Sequence, residues 1–244
     1  AKGEWFQLFQ IGFGGIPGRP LGDGPDGHSL FPNFTNVPNE FLERYFPLVI
    51  ERYETEVDSG GAGLYRGGNG IRMSYRFLEP GMIAIHDDRW FVPPWGVNGG
   101  EPGARARKIL EKPDGSQSIV PNKVEDLAVE AGDVLHFITW GGGGWGDPYA
   151  RDPALVGKEI VQGLVTAEGA KAYGVVADGN GVVDSVATEA LRETLRAARG
   201  GTIEVFNFGP DLDTLRQNSE AETGLPAPVA PSWNTARHYA LAAE

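Results

Sequence analysis

The stretch WGGGGWGDP, Trp140 to Pro148, divides two kinds of sequence. An apolar run, Val134 to Thr139, leads into it, and a helix start near Asp152 follows it. Four successive glycines, Gly141, Gly142, Gly143 and Gly144, have torsion angles open to them that other residues lack, and lose much entropy when ordered. Ordering them requires backbone to pass close to something. Either they form a tight crossover beneath Trp140 and Trp145, or their amides line a pocket or an anion-binding nest. No Lys-Ser or Lys-Thr follows, so the stretch is not a P-loop, nor does it fit a dinucleotide fingerprint.

Upstream, short strand patterns alternate with turns. Ile71, Met73 and Tyr75 point one way and Arg72, Ser74 and Arg76 the other, the period of a half-buried antiparallel sheet. Trp5 to Ile11, the run LVIERYETEV from Leu48, Met82 to His86, Ala106 to Leu110, Gln117 to Val120, Asp126 to Val129 and Val134 to Ile138 also read as strands. Asn69-Gly70, Asn98-Gly99 and Pro113-Asp114-Gly115 read as turns. Asn39 to Tyr45 forms a turn of helix. Downstream, Pro153 opens a helix after Asp152. Ser185 caps another through Arg199, with Val186, Ala190, Leu191 and Leu195 inward and Gly200-Gly201 at its end. The expected fold is α+β: a mostly antiparallel, Gly-rich β-sheet region over residues 1–150, then a smaller helical region over residues 151–244 with an extended Pro-rich tail.

Composition narrows the function classes. A net charge of −12, from 33 acidic against 21 basic residues, argues against a nucleic-acid surface. No run is long and apolar enough to cross a membrane and no signal peptide is evident, so a cytoplasmic setting is expected. With no cysteine there is no disulfide, thiolate nucleophile or sulfur-ligated zinc. The 36 glycines and 18 prolines follow no overall period, which excludes collagen. The chain lacks an initiator Met, which fits methionine removal or a piece of a longer polypeptide.

Candidate chemistry is sparse. H-E-x-x-H, G-x-S-x-G and nucleotide loops are all missing. Four histidines spread over the chain make a histidine-rich metal site improbable, and none is assigned. The long loop from Pro17 to Pro38 holds Asp23, Asp26 and His28 close together. They form either a metal or proton-transfer group, or Asx-turns with a histidine satisfying backbone. Phe31 and Phe34 are expected to anchor this loop. His136 reads as a core histidine and His238 as a surface one. Asp88 and Arg89 read as an ion pair with a structural role, or as a carboxylate-orienting pair.

Several blocks resemble the C-terminal part of the hydantoinase B and oxoprolinase family. They are DGHS (Asp26–Ser29), NVPNEFLE (Asn36–Glu43), DSGGAGLYRGGNG (Asp58–Gly70), DDRWFVPPWGVNGGEPGAR (Asp87–Arg105), GDVLHFITWGGGGWGDP (Gly132–Pro148) and RDPALV (Arg151–Val156). The resemblance implies an ATP-using enzyme that works through a complex. Such enzymes open cyclic amides (hydantoins, lactams or oxoproline) or carboxylate ketones with bicarbonate, as acetone and acetophenone carboxylases do. A hydantoinase-A-like partner would carry ATP and Mg2+. The remaining N-terminal portion of the hydantoinase-B-like polypeptide would supply the rest of the site, including a divalent metal.

The resemblance further implies site residues. His28 would lie nearest the substrate, with Asp26 and Arg89 as catalytic partners. Arg66, Trp90, Trp95, Gly141, Gly142, Gly143, Gly144 and Asp147 would line the pocket. The aromatic loops around His28, Trp90 and Trp95 favour an apolar ketone and hence a ketone carboxylase. A cyclic amide hydrolase is the alternative, and a non-catalytic scaffold protein within such a complex is the second.

Overall fold

The computed structural model describes residues 7–29, 34–200 and 203–229. In chain order it contains α1 (Asn39–Tyr45), β1 (Leu48–Thr55), β2 (Ile71–Phe77), β3 (Gly81–His86), β4 (Gly96–Val97), β5 (Arg107–Glu111), β6 (Gln117–Ile119), β7 (Lys123–Val129) and β8 (Val134–Ile138). These are followed by α2 (Pro153–Val161), α3 (Ser185–Arg199), β9 (Phe206–Asn207) and α4 (Leu212–Thr223). The class is α+β, as expected.

The main sheet is antiparallel, in the order β1-β2-β8-β5-β6. The alternation along β2 explains its place. Ile71, Met73 and Tyr75 are buried with Leu48 and with Leu42 of α1. A second core of Ile85, Leu110, Val120, Val129 and Leu135 lies between the sheet and a ribbon of β3 and β7. So β2 and β3, adjacent in sequence, belong to different sheets. Each buries one face against a different partner, which neighbouring strand patterns alone do not reveal.

Beside the sheet lies a body without regular strands. Here the stretches around Gly15–Gly18, Ser59–Gly70, Trp95–Gly103 and Trp140–Gly146 run side by side, bonded crosswise through their backbones. Gly15 N donates to Trp140 O (2.8 Å), Gly61 N to Gly142 O (2.8 Å), Gly142 N to Gly68 O (2.8 Å) and Gly144 N to Glu101 O (2.9 Å). A Cβ on Gly141 would lie 1.7 Å from Ser59 O, and one on Gly144 2.0 Å from Ala62 O. Gly142 and Gly143 face other neighbours, Ile16 O at 2.3 Å and Trp95 O at 1.6 Å. The contact therefore returns to the same neighbour every third residue. Gly100 and Gly103 repeat this against Gly144 and Gly141, and Gly67 and Gly70 against Gly142 and Thr139. A three-residue repeat with glycine at the contact is the packing of polyproline-type helices.

This changes the reason for the glycines. None of Gly141 to Gly144 has a left-handed φ; what they provide is the missing Cβ. Asn69-Gly70 is likewise not a turn. Asn69 is fully buried, its side chain accepting from Gly60 N and donating to Leu164 O (2.8 Å each). Asn98-Gly99, with φ of 53° and 92°, is one.

The helical region follows from its caps. Asp152 accepts from Ala154 N and Pro153 sits in the first turn of α2. In α3 the cap is Asp184, accepting from Ala187 N, rather than Ser185. Its inward face also differs from expectation: Val186 is 83% exposed, whereas Thr188 and Arg192 are buried. Arg192 donates to the carbonyls of Arg151 and Tyr173, and Thr188 Oγ1 accepts from Val176 N. Satisfying those buried backbone groups outweighs the apolar stripe. Residues 7–11 form no strand; Ile11 instead exchanges two hydrogen bonds with the Asn36 side chain. Phe34 is half exposed and is no anchor. Trp5, Phe31, Gly201 and His238 lie outside the described residues.

Candidate functional site

The loop that carries Asp23, Asp26 and His28 is held against the glycine body. Gly24 N donates to Arg66 O (2.7 Å), Gly27 N to Asn69 O (2.8 Å) and His28 N to Gly14 O (3.2 Å). A charge cluster then pins it to α2. Asp26 Oδ1 accepts from Arg66 Nη1 (2.8 Å) and from Asn69 N (2.6 Å). Asp23 takes a bidentate pair from Arg151 (2.8 and 2.7 Å) and a bond from Arg66 N (2.7 Å). Glu159 Oε1 joins the two guanidiniums, at 3.1 Å from Arg66 Nε and 2.8 Å from Arg151 Nη2.

The electrostatics follow from this crowding. Burial pushes the Asp23 carboxyl up, but the Arg151 and Arg66 bonds and charges more than reverse this and hold it below the ordinary range. Burial would lower the Arg66 and Arg151 values, yet Asp26 and Glu159 raise the first and Asp23 and Glu159 the second. Asp26 and Arg66 are thus brought together, each engaged by the other. His28 stands exposed beside them, and its side chain has no hydrogen-bond partner among the described residues.

The other sequence-assigned residues fall elsewhere. Arg89, at φ 59°, lies over the Trp95 ring at 5.9 Å, while Asp88 pairs with Lys123 at 3.3 Å. The expected Asp88–Arg89 pair therefore does not form. Trp90 packs on Phe91 (5.7 Å between centroids), and its carbonyl accepts from Arg105 (2.8 Å). Asp147 accepts from Tyr149 N (3.0 Å) and holds Arg199 at the end of α3 through two bonds (2.9 and 2.8 Å). The amides of Gly141, Gly142 and Gly144 all donate to backbone carbonyls. These three amides are therefore not free to bind an anion.

Two features were not visible from motif spacing. A cavity of about 170 Å3 opens at the seam between the glycine body and the helical region, lined among others by Asp58, Gly60, Asn69, Glu101 and Tyr173. Burial raises the Glu101 carboxyl, opposed by an Asn207 bond and the Arg199 charge, and burial also raises the Tyr173 phenol. Both therefore favour their protonated forms more than they would in water. The sequence signals were the blocks Asp58–Gly70 and Asp87–Arg105, each of which contributes residues to the wall. The second is a buried pair inside the sheet. Lys108 Nζ donates to Asp87 and to Ile138 O (3.0 Å) and lies 3.9 Å from the Phe137 ring centre. Burial lowers the Lys108 value and raises that of Asp87. Among the described residues no cluster of three His, Asp or Glu side chains is arranged to hold a metal.

Comparison with known proteins gives this geometry a family. The Hydantoinase B/oxoprolinase profile matches residues 1–148. The beta subunit of caprolactamase from Pseudomonas jessenii is 37% identical over 63% of this chain and 27% of its own length. A putative D-/L-hydantoinase polypeptide of the B type, from a Pseudomonas species (strain NS671), is 27% identical over 78% of this chain and 32% of its own. The crystal structure of the ATP-dependent caprolactamase from P. jessenii superposes with a TM-score of 0.63 at 30% identity, over 74% of this chain and 32% of that one. Nucleotide-free acetone carboxylase shares the fold, with a TM-score of 0.59 at 21% identity over 83% of this chain and 31% of that one. The chain thus spans about a third of the length of these relatives. The chain belongs to the hydantoinase B/oxoprolinase family.

Proposed function

We propose that this chain supplies one wall of the active site of an ATP-dependent cyclic amide hydrolase of the hydantoinase, lactamase or oxoprolinase kind. A hydantoinase-A-like partner would carry ATP and Mg2+, and the remaining portion of a hydantoinase-B-type polypeptide would complete the site with any divalent metal. One observation carries the reading: the glycine body and the Arg66–Arg151–Glu159 cluster immobilise the loop bearing Asp26 and His28, leaving the His28 imidazole exposed. A rigid frame that presents an exposed imidazole suits proton transfer to the leaving amide nitrogen, with little reorganisation at the moment of reaction. Asp26 acts here as a positioning residue that fixes the loop through Arg66. The named substrates of the similar curated relatives, a lactam and hydantoins, favour this chemistry.

A ketone carboxylase is the second reading, favoured by the aromatic surface at Trp90 and Trp95. The likeness to acetone carboxylase, at 21% identity, bears on the fold alone. Trp95 is 45% exposed, which suits a ketone pocket less well. The test uses the complete assembly with ATP and either caprolactam, hydantoin and 5-oxoproline, or acetone and acetophenone with bicarbonate. Bicarbonate-independent ring opening supports the first reading, and bicarbonate-dependent carboxylation alone replaces it with the second. His28→Ala should lower turnover at least a hundredfold with assembly intact; unchanged turnover would make the chain a scaffold.

A further inference from the structure

The aromatic surface has a better-defined use than a substrate pocket. Trp95 and Phe208 meet edge to face at 4.8 Å between centroids, and Phe208 stacks with Phe206 at 6.0 Å. The three are 45%, 52% and 51% exposed, with Ile203 and Val205 half exposed beside them. This is not a loose tail. Phe206 is in register with Val97 across β4 and β9, Asn98 N donates to Val205 O (2.8 Å) and Gly99 N to Glu204 O (2.9 Å). Asn207 also donates to Glu101 (2.9 Å). A rigid apolar surface rich in large aromatics is characteristic of interface cores. Above Trp95 sits Arg89, whose guanidinium has no carboxylate partner among the described residues.

We propose that this ladder of Trp95, Phe208 and Phe206 is the seat of the remaining portion of the hydantoinase-B-type polypeptide, which would present apolar side chains and one carboxylate facing Arg89. The inference rests on the reading above that such a portion completes the protein. Relatives carry roughly two thirds of their length beyond what this chain matches, and that polypeptide has to be accommodated against this body. The aromatic ladder joins the family-matched segment at Trp95 to β9 in the helical region, so covering it would tie both regions to the rest of the molecule.

The absence of cysteine makes the surface directly measurable. Phe208→Cys, and Val186→Cys as a control on the exposed face of α3, are labelled with a maleimide and read by peptide mass. Labelling of Phe208→Cys should be fast in the 244-residue chain alone and at least tenfold slower in the assembly, with Val186→Cys unchanged. Arg89→Glu should weaken assembly at least tenfold while leaving the melting temperature of the isolated chain unaltered. Assembly with undiminished labelling at Phe208→Cys overturns the proposal and leaves the reading of a completing portion intact; failure of the wild-type chain to assemble removes both. Slow labelling in the isolated chain at every concentration, or only at high concentration, also overturns it. The first outcome would assign the surface to the chain's own residues 230–244 and the second to a second copy.

Discussion

Replacing Gly141 with alanine tests the glycine body most directly. The added Cβ would lie 1.7 Å from Ser59 O and 2.2 Å from Ser59 C, whereas about 3 Å is the closest approach tolerated. The obstacle is backbone, not a side chain that can swing aside, so the segment at Ser59 must retreat by more than about 1 Å. That retreat strains the bonds from Gly61 N to Gly142 O (2.8 Å), Ala104 N to Ser59 O (2.7 Å) and Gly141 N to Ala104 O (3.1 Å). At about 1 kcal/mol for each of the three bonds, with overpacking of roughly 1–3 kcal/mol, the loss is at least ~4 kcal/mol. For a chain of this size that lowers the melting temperature by at least roughly 8–16 °C. Gly179→Ala is the matched control, since nothing lies within 4 Å of its Cβ position and its φ is not left-handed. It should stabilise by about 0.4–1 kcal/mol through the unfolded state. Thermal and urea melts followed by tryptophan fluorescence read both variants. A Gly141→Ala protein within about 1 kcal/mol of wild type would refute the packing argument and return these glycines to a purely functional role.

Other perturbations address the charged groups. Asp87→Ala leaves Lys108 buried without its carboxylate and should cost roughly 3–5 kcal/mol, while the double replacement Lys108→Met with Asp87→Leu should recover most of that in urea melts. Asp23→Ala should destabilise by a similar amount, about 3 kcal/mol, because among the described residues it leaves Arg151, 1% exposed, with only Glu159 as a charged partner. The carboxyls of Asp23 and Asp147 are held below their ordinary value of 3.8, so the stability they contribute is complete above about pH 4 and is lost as pH falls through their lower folded values. Melting temperatures across pH 2–5 should show this acid limb, and Asp23→Asn should flatten it. His28→Ala should leave the melting temperature within about 1 °C of wild type, because its exposed side chain makes no hydrogen bond among the described residues.

Much of the sheet was legible in the sequence because its signal is local. The alternation in β2, the turn at Gly115 and the helix start at Asp152 each depend on residues within a few positions of one another. The candidate site was legible only as isolated residues. Asp23 and Arg151 are 128 positions apart, Arg66 and Glu159 are 93 apart, and no spacing rule joins them. The seam cavity is harder still, since its walls come from segments around Asp58, Glu101 and Tyr173.

For Gly141 to Gly144, sequence by itself determined that the backbone must come close to something, since an ordered run of glycines has no other rationale. Spacings of three, such as Gly100 with Gly103 and Gly141 with Gly144, were also present but carry meaning only when the facing chain is known. Tertiary structure alone decided that the neighbour is the protein's own backbone on several sides, that the amides of Gly141, Gly142 and Gly144 are spent on its carbonyls, and that Arg66 and Arg151 close the loop of Asp26 and His28. The physical reason is range. Turn and strand preferences act over a few residues, whereas a contact without Cβ atoms and a shared ion cluster exist only once distant segments have been brought within about 3 Å of each other.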